Sequence, residues 1–376
     1  MTYIVTGKRS AIGNFMGHFK NTPAPELAAE VLKNMLKETS LETKIEEIFM
    51  GCVLTSGIGQ APARQVGIKA GLPLSIPAQT IGKVCGSGLQ AIVNGHLAIK
   101  SGHRNLVVAG GMENMSLAPH LAYLRNGVKY GDTSFTDCLA LDGLSDAYSK
   151  KSMGACAQQT AEEYKLTREE QDLYAINSFK RALKAQEEKV FSSEIVSVQG
   201  LEEDEGPKKV KFEKIPTLRP AFSQNGTITA ANSSTLNDGA AVVLLAGEEF
   251  RSLAEFKILG VGTRAITPEN FVLAPIESIN LCLNNSHLKV SDIDFWEINE
   301  AFACVPLLAI KQLNLNVDKV NVRGGAIALG HPIGATGARL LVTLMNTLSS
   351  SQGAKIGMVS LCIGGGEALT VAIERL

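Results

Sequence analysis

An excess of charge of either sign is missing from this sequence, where 36 Lys and Arg face 37 Asp and Glu. No global basic field is therefore available to recruit nucleic acid. No apolar run of about 18 residues occurs, so no membrane-spanning helix is predicted. The opening Met1-Thr2-Tyr3-Ile4-Val5-Thr6 reads as a strand rather than a signal peptide. Paired cysteine spacings are absent as well. Cys52, Cys85, Cys138, Cys156, Cys282, Cys304 and Cys362 are odd in number and far apart. That argues against a zinc site and against a disulfide framework. Reduced thiols in a cytoplasmic or matrix-like compartment are expected.

What the sequence does have is 45% hydrophobic residues and 36 glycines. This suits a large α/β unit, or two to three domains, with many strand-to-helix turns. Tyr3-Ile4-Val5 starts a sheet, and Ala11 to Gly17 reads as a loop. Beyond Pro25, Ala28, Val31, Leu32, Met35 and Leu36 recur with helical period. Ile48 to Val53 reads as a buried strand, and Ala63 to Ala70 as a helix stopped by Gly71-Leu72-Pro73. Asn105 to Ala109 is a continuous apolar strand of the kind found in parallel sheets. It runs into Gly110-Gly111-Met112-Glu113-Asn114-Met115-Ser116. The alternation predicts a helix-covered parallel sheet.

From about Ala118 to Ser234, polar loops surround one clear helix, opened by the capping box Thr167-Arg168-Glu169-Glu170. Glu202 to Lys209 reads as a solvated turn. A core strand returns at Asn237 to Leu245. The last third repeats the first in outline, though not letter by letter. Strands are expected at Ile258 to Val261 and Phe295 to Ile298, the second turning through Asn299-Glu300-Ala301-Phe302 into a helix. A glycine-rich loop, Gly324 to Gly337, opens another helix, bearing Ala338, Leu341, Val342 and Met345. The final strand, Ile356 to Leu361, runs into Cys362-Ile363-Gly364-Gly365-Gly366.

The stretch Lys83-Val84-Cys85-Gly86-Ser87-Gly88-Leu89-Gln90-Ala91 organises the rest. Leu89, Ile92, Val93 and Leu97 fall on one helical face, so Cys85 is expected at or beside a helix N-terminus. Unpaired N–H groups and the positive dipole end favour an anion there, and the thiolate is the nucleophile. The same letters fit the dinucleotide pattern G-x-G-x-x-A, with Glu113 roughly 20 residues on. A small buried cysteine in a tight turn is a third reading. His96, on or beside the apolar face, reads as an interior or interface histidine.

Cys85, Asn299, His331 and Cys362 all fall on turns where strands end and helices begin, the place where open α/β sheets bind ligands. The chain resembles the thiolase family of acyl-CoA acyltransferases along nearly its whole length. The resemblance is carried by Val84-Cys85-Gly86-Ser87-Gly88, Gly110 to Ser116, Asn299-Glu300-Ala301-Phe302, Gly324 to Pro332 and Cys362 to Gly366. Leu141-Asp142-Gly143-Leu144-Ser145-Asp146-Ala147 resembles the short-chain acetyl-CoA acetyltransferase branch.

The resemblance implies a five-layered αβαβα fold. Its two similar halves would be residues 1–118 with 236–249, and 250–376, with 119–235 inserted as a coenzyme-A-holding cap. It implies a homodimer or homotetramer, acyl-CoA and coenzyme A as substrates and products, and no separate cofactor or metal. Cys85 would carry the acyl group and His331 its proton, the nucleophile-plus-base arrangement. Cys362 would deprotonate acetyl-CoA. Asn299, through a water, would join His331 as one donor set for a developing oxyanion, and the N–H groups of Cys85 and Gly364 would form the other. Asn299 could also cap the helix that follows. Arg219 matches a nucleotide contact, and Met153, Ala301 and Phe302 would line the pantetheine or acyl tunnel.

The pattern departs at four places. Ser152 stands where histidine is frequent, Gly260 where some relatives hold pantetheine with serine, and Glu367 where methionine or glutamine is usual. Asn270 to Pro275, with bulky Phe271 and Leu273, replaces a glycine-containing loop near the acyl pocket. Acetyl-CoA C-acetyltransferase activity is expected. A 3-ketoacyl-CoA thiolase of longer-chain β-oxidation, a non-catalytic lipid-binding relative and a decarboxylating ketoacyl synthase are the alternatives. The second cysteine argues against the synthase.

Overall fold

The computed structural model describes residues 1–125 and 127–376. The first half supplies β1 (Tyr3–Ser10), β2 (Gly13–Asn14), α1 (Ala24–Lys37), β3 (Glu47–Gly51), α2 (Pro62–Lys69), β4 (Ala78–Ile81), α3 (Ser87–Lys100) and β5 (Leu106–Asn114). A long excursion follows, with β6 (His120–Leu121), β7 (Thr136–Asp137), α4 (Met153–Glu163), α5 (Arg168–Glu187) and β8 (Ile195–Val196). The chain then returns as β9 (Asn237–Ala246). The last third gives β10 (Phe256–Ala265), α6 (Ala274–Ser286), β11 (Phe295–Ile298), α7 (Cys304–Leu313), α8 (Ala326–Leu329), α9 (Thr336–Ser350), β12 (Ile356–Ile363) and β13 (Glu367–Arg375).

The main sheet runs β11-β12-β13-β10-β1-β9-β5-β3-β4. From the seam outward, each half repeats the same pairing signs. β1 to β9 and β9 to β5 are antiparallel, and β5 to β3 is parallel. β10 to β13 and β13 to β12 are antiparallel, and β12 to β11 is parallel. Within the sheet the halves pair at the seam between β1 and β10, Tyr3 opposite Lys257 and Ile4 opposite Phe256.

Side-chain alternation along the strands builds the five layers. Val107 and Ala109 of β5, Val243 and Leu245 of β9, and Val359 and Leu361 of β12 pack with Leu89, Ile92, Leu341 and Leu344 of α3 and α9. These two helices are the central layer, shared by both halves. Leu106, Val108, Val242 and Leu244 face the other way, onto α1 and α2. Met358, Cys362 and Ala372 face α6 and α7. Two outer helical layers, two sheet halves and one inner layer make the αβαβα fold.

Several sequence-based expectations are corrected. The sheet is mixed, because β9 enters antiparallel between β1 and β5. Burial on both faces of β5 comes from the layering rather than from parallel neighbours. β5 continues through Gly110 and Gly111, which the sequence reading placed past the strand. The excursion holds two helices of eleven and twenty residues, α4 and α5, rather than one. β13 follows the triple glycine and was not expected. Leu97 is exposed, so the apolar face of α3 is narrower than its letters suggest. In the supposedly solvated turn, Asp204 is buried. It takes a bidentate pair from Arg9 at 2.7 and 2.9 Å and the Ile12 N–H at 2.7 Å. A partner so far away in sequence is invisible to local pattern. Among the described residues no helix is long and apolar enough to cross a membrane.

Candidate active site

Cys85 sits in a short 3-10 turn, Val84–Gly86, one step before α3 begins at Ser87. Val84 has φ +44°, a strained conformation for a β-branched residue, costing about 1–3 kcal/mol. The Ser87 hydroxyl braces it, accepting from the Lys83 N–H at 2.8 Å and donating to the Val84 carbonyl at 2.7 Å. Lys83 also pairs with Glu367, so that departure ties this turn to the hairpin after Cys362.

The surroundings of Cys85, which is half-buried, do not favour the expected acidification. Burial pushes its thiol up to about 11, outweighing the backbone N–H groups of Gly364 and of Cys85 itself, which favour the thiolate. Desolvation wins over the helix end. Those two N–H groups nevertheless converge on one sulfur. Cys362, the penultimate residue of β12 rather than part of a turn, is also raised well above its ordinary value. Burial is the main cause, and the charges of Cys85 and Cys304 add to it.

His331 is buried on the loop between α8 and α9. Its backbone N–H donates to the Asn237 side chain at 3.0 Å, and its Nδ1 lies 2.6 Å from the Thr336 hydroxyl. Burial, helped by the Arg339 charge, depresses its pKa to about 3. Asn299 follows β11 and bonds through its N–H to the Ser360 carbonyl at 2.9 Å. Its side-chain nitrogen lies 3.4 Å from His331 Nε2. The capping expectation fails, because α7 starts at Cys304 with Ala303 as its N-cap residue.

A cavity of about 350 Å³ brings Cys85, His331, Cys362 and Gly364 together with Met153, Ala301 and Phe302. Asn299 joins it through His331. Arg219 is exposed and is not part of the cavity wall, although Phe222, three residues on, is. Gly260 is corrected: it lies in β10 against Ser286, away from the cavity. Serines line the wall at Ser233 and Ser234 instead. They are placed by a short ladder in which the Ser234 N–H donates to Ala301 and the Ala303 N–H to Asn232, both at 2.9 Å. Ser152 lines the cavity and caps α4, its side chain accepting from the Ala155 N–H. Phe271 also lines it, edge-on to Phe302, which is edge-on to Phe222. Sequence reasoning missed Phe222, Ser233, Ser234 and Thr336, since none lies in a motif that carries chemistry by itself.

Glycines decide how closely the reactive loops approach. A Cβ on Gly111 would fall 2.1 Å from the Gly334 carbonyl, and one on Gly88 2.8 Å from the same atom. Gly88 is therefore needed where the His331 loop crosses α3, not for a pyrophosphate. Glu113 is no ribose ligand. It is buried and accepts from the N–H groups of Val53, Leu54 and Gly334 at 2.9 to 3.1 Å. Burial raises its pKa to about 7.

The His331 shift predicts a pH effect on stability. The folded pKa, about 3, lies below the ordinary value of 6.5. Stability from burying the neutral ring is thus complete above 6.5 and is lost as pH falls toward 3. We expect urea unfolding at about pH 7.5 and 5.5 to show the gap between wild type and His331→Gln moving against the wild type by about 1.4 kcal/mol. An unchanged gap would mean the ring is not buried neutral.

Known proteins resemble this chain. The family description "Thiolase, N-terminal domain" matches residues 2–249, and "Thiolase, C-terminal domain" matches 252–375. A "Probable acetyl-CoA acyltransferase" of Staphylococcus aureus strain COL is 43% identical over 383 aligned positions, covering 98% of this chain and 97% of that protein. The protein of the same description from strain MRSA252 matches with the same identity and coverage. The crystal structure of the Acat5 thiolase from Ascaris suum in complex with coenzyme A has a TM-score of 0.96 and 41% identity, covering 100% of both chains.

Proposed function

The chain belongs to the thiolase family, and from that premise we propose that it reversibly condenses two acetyl-CoA molecules into acetoacetyl-CoA and coenzyme A. The observation that carries the reading is the single cavity holding both thiols and the imidazole. Coenzyme A is a substrate and product in this family, as befits the apolar corridor of Met153, Phe222 and Phe302 leading to Cys85.

Cys85 passes its proton to His331 and attacks the thioester carbon, and the carbon–sulfur bond to coenzyme A breaks. The departing thiolate takes the Cys362 proton. Acetyl-CoA enters, and the Cys362 thiolate removes a methyl proton. The resulting carbanion attacks the acyl carbon, releasing the Cys85 sulfur, which recovers its proton from His331. Both thiols and the neutral imidazole are restored. A neutral resting state suits the direction of all three pKa shifts, since charge appears only as a compensated pair. The N–H groups of Cys85 and Gly364 are our candidates for one oxyanion hole, and His331 with Asn299 for the other. Residues 119–235, which contribute Met153 and Phe222, are the proposed coenzyme-holding cap, with Arg219 at its exposed edge.

Phe271 supports the short-chain reading because it puts a bulky ring on the cavity wall, edge-on to Phe302. Met115, Leu144 and Ile333, apolar residues on the same wall, favour the longer-chain alternative. Initial thiolysis rates on 3-ketoacyl-CoAs of increasing length separate the two. We expect acetoacetyl-CoA to have the highest kcat/KM, and Phe271→Leu to shift the ratio toward longer chains by about tenfold. A wild-type preference for long chains would reject the acetyl assignment.

A further inference from the structure

We infer that Thr336 is a positioning residue that holds the proton of His331 on Nδ1, leaving a bare Nε2 at the end of the ring away from Thr336, in the cavity that the two thiols share. The inference rests on the acyltransferase reading of His331 and adds which nitrogen does the work.

Thr336 is the first residue of α9 and is fully buried. Its hydroxyl lies 2.9 Å from the Pro332 carbonyl, one helical turn back, and 2.6 Å from His331 Nδ1. A hydroxyl has one proton to give and lone pairs to accept with. If the proton goes to Pro332, the oxygen accepts from Nδ1–H, and both contacts are hydrogen bonds. If the hydroxyl turns to a bare Nδ1, the Pro332 contact loses its proton and one hydrogen bond is lost. One net hydrogen bond corresponds to roughly tenfold in the tautomer equilibrium. The other end of the ring agrees: the Asn299 side-chain nitrogen, 3.4 Å from Nε2, then meets a lone pair instead of a second N–H.

The backbone is held independently. The His331 N–H is anchored on Asn237 at 3.0 Å, so the ring has little freedom except to be oriented by Thr336. The partner of one imidazole nitrogen sets the chemistry of the other, as a second layer of contacts does for metal-bound histidines. With the opposite tautomer, Nε2 would already carry a proton and could not take the one from Cys85.

The test uses full-length protein labelled with ¹⁵N-histidine, with the His331 signals assigned through His331→Gln. The wild type should show a protonated Nδ1 and an unprotonated Nε2 near neutral pH. Thr336→Val, close in shape, should move the pair toward the other tautomer and lower kcat by about 10²-fold while leaving the KM for acetyl-CoA within about twofold. Thr336→Ser should restore both the spectrum and the rate. A wild-type Nε2–H signal overturns the inference. So does a Thr336→Val enzyme that loses activity with its tautomer unchanged, since that would be a merely structural effect. A protein with the expected Nδ1–H signal that transfers no acyl group would count against the acyltransferase reading and leave the tautomer assignment standing.

Discussion

Cys85→Ala should lower kcat for acetoacetyl-CoA thiolysis by at least about 10⁴-fold, with coenzyme A binding retained. Of the nucleophilic side chains at that turn, Cys85 lines the cavity, whereas Ser87 and Lys83 are engaged with the turn and with Glu367. Cys362 reaches the cavity from β12 rather than from that turn, and burial raises its thiol well above the ordinary value as well. The loss should be catalytic rather than structural. Alanine keeps the turn, whose strained Val84 is braced by the Ser87 hydroxyl and not by the thiol. Wild type exposed to acetyl-CoA should gain the mass of one acetyl group on the Cys85 peptide, and the variant should gain none. Substantial turnover by Cys85→Ala, or labelling of Cys362 instead, would sink the covalent step.

The second large effect separates the two thiols. Cys362→Ala should still accept an acetyl group on Cys85 but lose condensation and thiolysis by about 10³-fold or more. The reason is proton management. Removing a methyl proton needs a base close to the second acetyl group, and Cys362 is the second thiol on the cavity wall. In the proposed cycle His331 already holds the proton taken from Cys85. In deuterated water the wild type, once acylated, should exchange acetyl-CoA methyl protons, while the variant should not. Normal exchange by Cys362→Ala would assign that proton to another group.

The burial that raises both thiols also explains why local reasoning about Cys85 went astray. A cysteine beside a helix N-terminus reads as acidic from its neighbours in sequence. The structure surrounds it with Val84, Met153 and Phe302 and puts the Glu113 charge nearby, and desolvation dominates. The same limit applies to Asp204, which looked like part of a solvated turn until Arg9 met it. Gly260 matched a functional position by local letters but packs on Ser286, whereas Ser233 and Ser234 reach the cavity through pairing with the Asn299 turn.

Motif letters therefore determined the family, and through that resemblance the αβαβα plan and the four residues proposed to react, because glycine turns and nucleophile types are local properties of the chain. Only the tertiary structure decided which faces of those turns meet, which way β9 runs, and that Thr336 meets the imidazole while Asn237 anchors the His331 backbone. Close backbone approach, desolvation and hydrogen bonding between distant residues set those outcomes, and each depends on atoms that the sequence separates by tens to hundreds of positions.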